Sequence, residues 1–503
     1  MSWFSVQQPL TQHSKNVHSL SALSPPARIS DPDVVRVFND HVFNHMPAHL
    51  IYLPEGRLVH RGDLYSIFKP EEITEWDVDL FAEKSNNCSR EEAIRNLVAQ
   101  MLKYAILSHR WFHKGEPNFQ MMMSKEGLGG LPGYEKLVKF YRRAEELGCN
   151  LAWADTCCID RTSSAELEES IRSMFKWYRN SEVCIVHLAN SAQPIHFQHD
   201  EWFTRGWTLQ ELLAPMRLKF FGADWMPLSD CDNDKENDEI MGAISKVTGI
   251  NRRALHYFSP GLLDVREKML WASNRCTTRV EDIAYSLIGI FNVSMPIAYG
   301  EGRRAFRRLM EAIVQDCREW NIFAWAGPHS PYTAAFPESP SGYRVLSEEA
   351  SSALSHRIRP THRPWNPGYP FYTMTKRGLE IEVLLVEMMM HICREPLDGH
   401  NCERLTLSPD SEGEMYFGNI QVLCNTRFLP YSRWAIGIIN YQTDGTGNRR
   451  GIGELEAETD YVCFFLGTGI HSPYGKWEKV DTNVVLTIRT KQILRKPVTT
   501  LWL

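Results

Sequence analysis

Ser163 to Ala189 reads SSAELEESIRSMFKWYRNSEVCIVHLA. Ser163 and Glu166 have the spacing of a capping box, in which hydroxyl and carboxylate satisfy free amides at a helix start. Leu167, Ile171, Met174, Phe175 and Tyr178 then recur every three or four residues, on one face of a helix. The run that follows, EVCIVHLA (182–189), is short and mostly apolar, as in a strand covered on both faces. An amphipathic helix feeding such a strand predicts a crossover in a parallel sheet.

The alternation extends both ways. Upstream, YAILSH (104–109) reads as a strand and YEKLVKFYRRAEELG (134–148) as a helix stopped by Gly148. NLAWADTCCID (150–160) begins a second strand. Downstream, EWFTRGWTLQELLAP (201–215) has the apolar content of a buried helix and RLKFFGADW (217–225) reads as a fourth strand. Strands and helices in this order predict a doubly wound α/β sheet. In such sheets ligands bind beyond the carboxyl ends of the strands, and Ser108 to Trp111 and Asp155 fall there.

The chain has 503 residues, 43% of them hydrophobic and 11% aromatic, with 15 Trp, a globular composition with room for about three domains. A net charge of −6 and the lack of a dense basic block give no electrostatic footprint for nucleic acid. Twelve cysteines form no C-x-x-C pair and only Cys157 and Cys158 are adjacent, a usage typical of a reducing, cytoplasmic setting. No apolar run has the length of a signal sequence or a membrane span.

Residues 1–30, rich in Ser, Gln and Pro, are expected to be a disordered tail. Residues 31–103 read as a lead-in with a helix from Asp33, a hairpin around Pro54-Glu55-Gly56 and a helix after Ser89. The α/β domain is assigned to 104–327, its last third a helical extension. A Pro- and Ser-rich linker is placed at 328–345 and a β-rich domain, sandwich or barrel, at 346–503.

Several stretches offer chemistry. GLGGLPG (127–133) precedes a helix but fits neither phosphate-loop spacing and reads as a plain loop. The pairs His109/His113 and His196/His199 lack the further ligands a metal requires. Cys157-Cys158 reads as packed thiols in the absence of an activating base. Asp155 and Asp160 suit either turn chemistry or ligand binding. Glu211 raises a sharper question, because it lies one helical turn after Trp207 on an otherwise apolar segment. A carboxylate against a ring has a raised pKa or a partner. Arg205, pairing with Glu201 or Glu211, would make the group structural.

YAILSHRW, LAWADTCCID and RGWTLQELLAP, in this order, resemble the signature blocks of the fungal heterokaryon-incompatibility (HET) domain. The match spans about residues 100 to 327, including RVEDIAYSLIGIFNVSMPIAYGEGRRAF. Where the family continues its first block with Trp-Gly and an acidic residue, this chain has Trp111, Phe112, His113 and Lys114. The HET domain is similar in turn to the flavodoxin-like TIR domain, several members of which hydrolyse NAD.

That resemblance implies a flavodoxin/TIR-like parallel sheet with a helical extension, plus a separate C-terminal β-rich domain. It implies a role in fungal non-self recognition and programmed cell death. Trp207 and Glu211 match the TIR pattern of a Trp four residues before the catalytic glutamate. Glu211 is then the catalytic residue, and Ser108, His109, Arg110, Trp111, Asp155 and Trp207 the substrate contacts. NAD would be a substrate, with no cofactor or metal, and activity would follow self-association triggered by a protein partner of unknown identity. A non-enzymatic signalling module, with Glu211 a packing residue, is the alternative. A third places the function in the β-rich domain, sensing a partner and restraining the HET domain.

Overall fold

The computed structural model describes residues 31–85, 88–344, 372–393, 404–409, 415–417, 431–443, 451–469, 477–482 and 484–503. The expected tail at 1–30 and the first part of the β-rich segment lie outside these residues. The described residues fall into two compact units, one drawn from 31–43 and 62–101 and the other from 44–61 and the described residues after 101. In the smaller, Glu75–Lys84 and Arg90–Met101 are helices, and Arg90 pairs with both Asp31 and Asp33. Thr74 and Asp77 form a reciprocal capping box there, the arrangement that fixes a helix start.

The larger unit begins with a mixed six-stranded sheet in the order β2-β1-β4-β3-β5-β6. Its strands are β1 (His49–Tyr52), β2 (Arg57–His60), β3 (Tyr104–His109), β4 (Leu151–Trp153), β5 (Val183–His187) and β6 (Leu218–Phe221). β4, β3, β5 and β6 run parallel, with Ala105 opposite Val183 and Cys184 opposite Leu218. All four are buried along their length, which explains their unbroken apolar runs. The hairpin expected in a separate lead-in is instead the antiparallel edge of this sheet, with Ile51 opposite Ala152.

The helix Ser164–Asn180 lies against β3 and β4: Trp177 and Tyr178 meet Trp153 edge-on, and the Tyr104 hydroxyl donates to the Trp177 carbonyl at 2.5 Å. Its expected capping box is half formed. Ser163 accepts from the Glu166 amide, but the Glu166 carboxylate turns to the Asp160 amide and His49. The expected helix over 201–215 is broken. Glu201–Thr204 is a 3-10 turn, Arg205 is extended, and the α-helix spans only Thr208–Leu213.

Helices from Asp238 to Asp316 form the extension. Gly289 packs there on Phe175, where a Cβ would come within 2.2 Å of that side chain. Beyond them, 328–345 is not an extended linker. His329–Ser330 and Thr333–Pro337 pair, Phe336 and Tyr343 are buried, and the Tyr343 hydroxyl donates to the Ile322 carbonyl. From Tyr372 on, the described strands join one antiparallel sheet. Gly378–Cys393 pairs with Tyr431–Ile438 and with Leu494–Trp502. Trp434 stacks on Phe465 with centroids 5.1 Å apart, within a core that includes Leu384, Ile436 and Ile488. No helix among the described residues is long and apolar enough to cross a membrane.

Candidate active site

Successive residues of a strand face opposite sides, so Ser108 and His109, ending β3, serve different neighbourhoods. The Ser108 hydroxyl donates to Glu211 Oε2 at 2.5 Å and accepts from Trp202 Nε1 at 2.8 Å. The first and third signature blocks therefore meet through one hydroxyl. Gly206 makes the approach possible. Its amide donates to the Cys276 carbonyl at 2.8 Å and the Cys276 amide to the Thr204 carbonyl at 2.7 Å, so two chain segments run side by side. A Cβ at Gly206 would lie 2.4 Å from the Thr277 methyl. This pairing takes the backbone that a continuous helix over 201–215 would have used.

Glu211 is 6% exposed, and burial pushes its carboxyl up to about 8, with the negative Asp155 adding to the shift. Ser108, Arg205 and Tyr178 oppose it more weakly. The group is therefore largely protonated at neutral pH. Neither ion pair imagined for Arg205 forms: Glu201 pairs with Arg110 at 2.6 Å, and Glu211 bonds to Ser108. Arg205 still lies near enough to favour the ionised form of both Glu211 and Asp155. Below the helix, Arg275 Nη1 donates to the Arg205 carbonyl and to Thr208 Oγ1, each at 2.9 Å. Its buried Nη2 has no hydrogen-bond partner among the described residues.

Asp155, following β4, accepts from Trp111 Nε1 through both oxygens, at 3.1 and 3.0 Å. Burial raises its pKa, while Arg161 counters most strongly. The Arg161 guanidinium lies 4.6 Å over the Trp111 ring and donates to the Asp155 carbonyl. Trp207 stands at the start of the short helix, and the Glu211 amide donates to its carbonyl at 3.4 Å. Its side chain lies near Asp282 and favours that carboxylate's ionised form, while the Glu211 carboxylate turns inward to Ser108. The expected ring-to-carboxylate packing is replaced by these two separate attachments.

Ser108, Trp111, Asp155, Trp207 and Glu211 thus gather at the carboxyl ends of the parallel strands. His109 and Arg110 do not join Glu211. His109 is buried opposite His187, both its ring nitrogens lack a hydrogen-bond partner among the described residues, and burial, together with Lys136 and His187, holds it well below its ordinary value. Arg110 is occupied at the surface by Glu201. Phe112, in the glycine position of the resembled block, needs no left-handed backbone; its ring packs 4.2 Å from Lys136 Nζ, and its amide donates to Glu116. Cys157 and Cys158 are buried, and burial raises the Cys158 thiol far above its ordinary value, so it is not a ready nucleophile.

Sequence reasoning missed Trp202, Tyr178, Arg161 and Arg275. A buried indole needs an acceptor, which could have marked Trp202 inside its quoted block. Arg275 carries no local signal, because only the fold brings it under the Glu211 helix.

Residues 104–198 match the family described as heterokaryon incompatibility protein (HET). The vegetative incompatibility protein HET-E-1 of Podospora anserina is 39% identical over 226 residues. This chain carries a HET domain. The shared region is 42% of this chain and 16% of that relative, so the chain spans about a sixth of the relative's length. No solved structure matches it. The family match covers Ser108, Trp111, Asp155 and Arg161, whereas Glu211 lies beyond it.

Proposed function

We propose that this HET domain hydrolyses the nicotinamide–ribose bond of NAD when copies of the chain associate, and that the loss of NAD serves fungal non-self recognition and cell death. One observation carries the reading: a buried carboxyl, Glu211, gripped by Ser108 at the carboxyl ends of parallel strands, one helical turn after Trp207. The order β4-β3-β5-β6 supports it, since it is the 2-1-3-4 order of flavodoxin-like sheets. The name of the relative, a vegetative incompatibility protein, supports the biological setting.

The chemistry suits a single carboxylate. Cleavage develops positive charge on the ribose, which a nearby anion stabilises. Nicotinamide is cationic in NAD and leaves neutral, so no general acid is needed, unlike ordinary glycoside hydrolysis. Glu211 is protonated at rest, and the positive nicotinamide ring brought beside it favours ionisation. Ser108 fixes the direction of the carboxylate, and Trp202 fixes Ser108.

Full-length protein, concentrated and crowded to favour association, should release nicotinamide from NAD, while Glu211→Gln should not. Equal release by both would move catalysis to another group. A second reading, a non-enzymatic assembly module, is favoured by the closed Trp202–Ser108–Glu211 bonding. It predicts no release from either protein even after partner-induced assembly.

A further inference from the structure

Two arginine–aromatic pairs lie near one another beside Asp155. Arg161 lies over Trp111, and the Arg279 guanidinium lies 4.4 Å over the Tyr299 ring. The first pair belongs to the sheet domain and the second to the helical extension. The Tyr299 hydroxyl donates to Asp282 Oδ1 at 2.8 Å, and Asp282 lies near Trp207, at the start of the helix bearing Glu211. Arg161 is close enough to both Asp155 and Tyr299 to influence their ionisation, so the two pairs are neighbours.

Among the described residues, neither Arg161 nor Arg279 makes an ion pair, and nor does Arg205 deeper in the site. The nearby carboxylates take other partners as well: Asp155 accepts from Trp111, Asp282 from Tyr299, and Glu281 from the Gly300 and Gly302 amides, so the arginines are not tied into ion pairs with them. A guanidinium over a ring still presents N–H groups at its edge, a fork that matches phosphate oxygens; Arg161 gives one of its N–H groups to the Asp155 carbonyl and has others to offer.

We infer that Arg161 on Trp111 and Arg279 on Tyr299 form a subsite for the diphosphate of a nucleotide, with the helical extension as its second wall. The inference rests on the NAD reading, for it places the diphosphate beside the carboxylate that would meet the ribose. It assigns substrate binding to residues beyond the family match, which ends at 198.

ADP is the probe, because it carries the diphosphate and no nicotinamide bond. Calorimetry on the full-length protein should detect ADP binding that weakens with added salt. Binding should fall by about tenfold or more in the Arg161→Gln/Arg279→Gln double variant and recover in part with lysine at both positions. Arg279→Gln alone, at an exposed side chain, serves if the double variant does not fold. No ADP binding by the wild type at millimolar concentration, or equal binding by wild type and variants, overturns the subsite. Nicotinamide release is read separately. ADP binding without release removes the hydrolysis and leaves the subsite, whereas release with a KM unchanged by Arg279→Gln removes the subsite and leaves the hydrolysis.

Discussion

Glu211, at the carboxyl ends of the parallel strands, and Lys479, in the β-rich region, are both buried ionisable groups, yet they are accommodated differently. Glu211 sits among Ser108, Asp155, Arg205 and Tyr178, polar groups from four separate segments. Lys479 has no hydrogen-bond acceptor among the described residues, and its ammonium rests 3.3 Å from the centroid of the Trp325 ring. Around it, Gly327 donates to the Thr482 carbonyl and His329 meets Asp481 at 2.7 Å, so Lys479 lies in the seam joining the extension to the β-rich sheet. A charge supplied with several polar neighbours is arranged for chemistry. Lys479, with an aromatic face against its ammonium and one carboxylate, Asp481, near enough to favour its charge, is packed as a long apolar stem with a cationic end.

The largest effect expected from that contrast is at Glu211. Glu211→Gln should lower nicotinamide release by on the order of 10³-fold or more. In the wild type, kcat/KM should climb tenfold per pH unit below about 8 and level off above it, because the acting form is the carboxylate. Stability should move the opposite way. Folding raises this carboxyl above its unfolded value, so the native state holds an extra proton between about pH 4.5 and 8, and the stabilisation present at low pH is lost as pH rises through 8. Thermal melts of Glu211→Gln should match the wild type near pH 5 and exceed it increasingly toward pH 8. A flat difference would mean that the carboxyl is not held protonated.

Lys479 tests the other side. Burial holds its pKa down to about 7, so the wild type is disadvantaged increasingly as pH falls from about 10.5 to 7. Lys479→Met should stabilise the protein by about 2–3 kcal/mol at pH 7, the gain shrinking toward pH 10, with nicotinamide release unchanged. Destabilisation by Met would assign the seam to the cation–ring contact instead. Ser108→Ala should cost about 1–2 kcal/mol, since it leaves the buried Trp202 Nε1 without an acceptor. It should also move the pH midpoint of kcat/KM upward.

The parallel sheet was legible because its strands are buried on both faces and its helices keep a clear apolar stripe. The edge hairpin was legible as a hairpin but not as part of that sheet, since β1 pairs with a strand about a hundred residues away. The break at Arg205 was hidden because the apolar pattern of a helix continues across it, while the cause, pairing with Cys276, lies in another segment. In the site, Ser108, Trp111, Asp155 and Glu211 were marked by polar residues at strand ends and by the motif resemblance. Arg161, Arg275, Arg279 and Tyr299 join the site only through tertiary folding, and isolated arginines carry no periodic signal.

The smallest effect falls on Tyr178, which separates packing from tuning within one residue. Its hydroxyl donates to the Leu107 carbonyl at 2.9 Å, and it is the weakest of the influences favouring ionised Glu211. Tyr178→Phe keeps the ring that packs on Trp153 and removes only the hydroxyl. The lost bond should cost about 1 kcal/mol in denaturant melts. The pH midpoint of kcat/KM should move by less than in Ser108→Ala, because the single hydroxyl proton goes to the Leu107 carbonyl while Ser108 and Arg205 still act on the carboxylate. A shift as large as that of Ser108→Ala would make Tyr178 a principal partner of Glu211. A stability loss with no shift at all would confine it to holding the Ser164–Asn180 helix on β3.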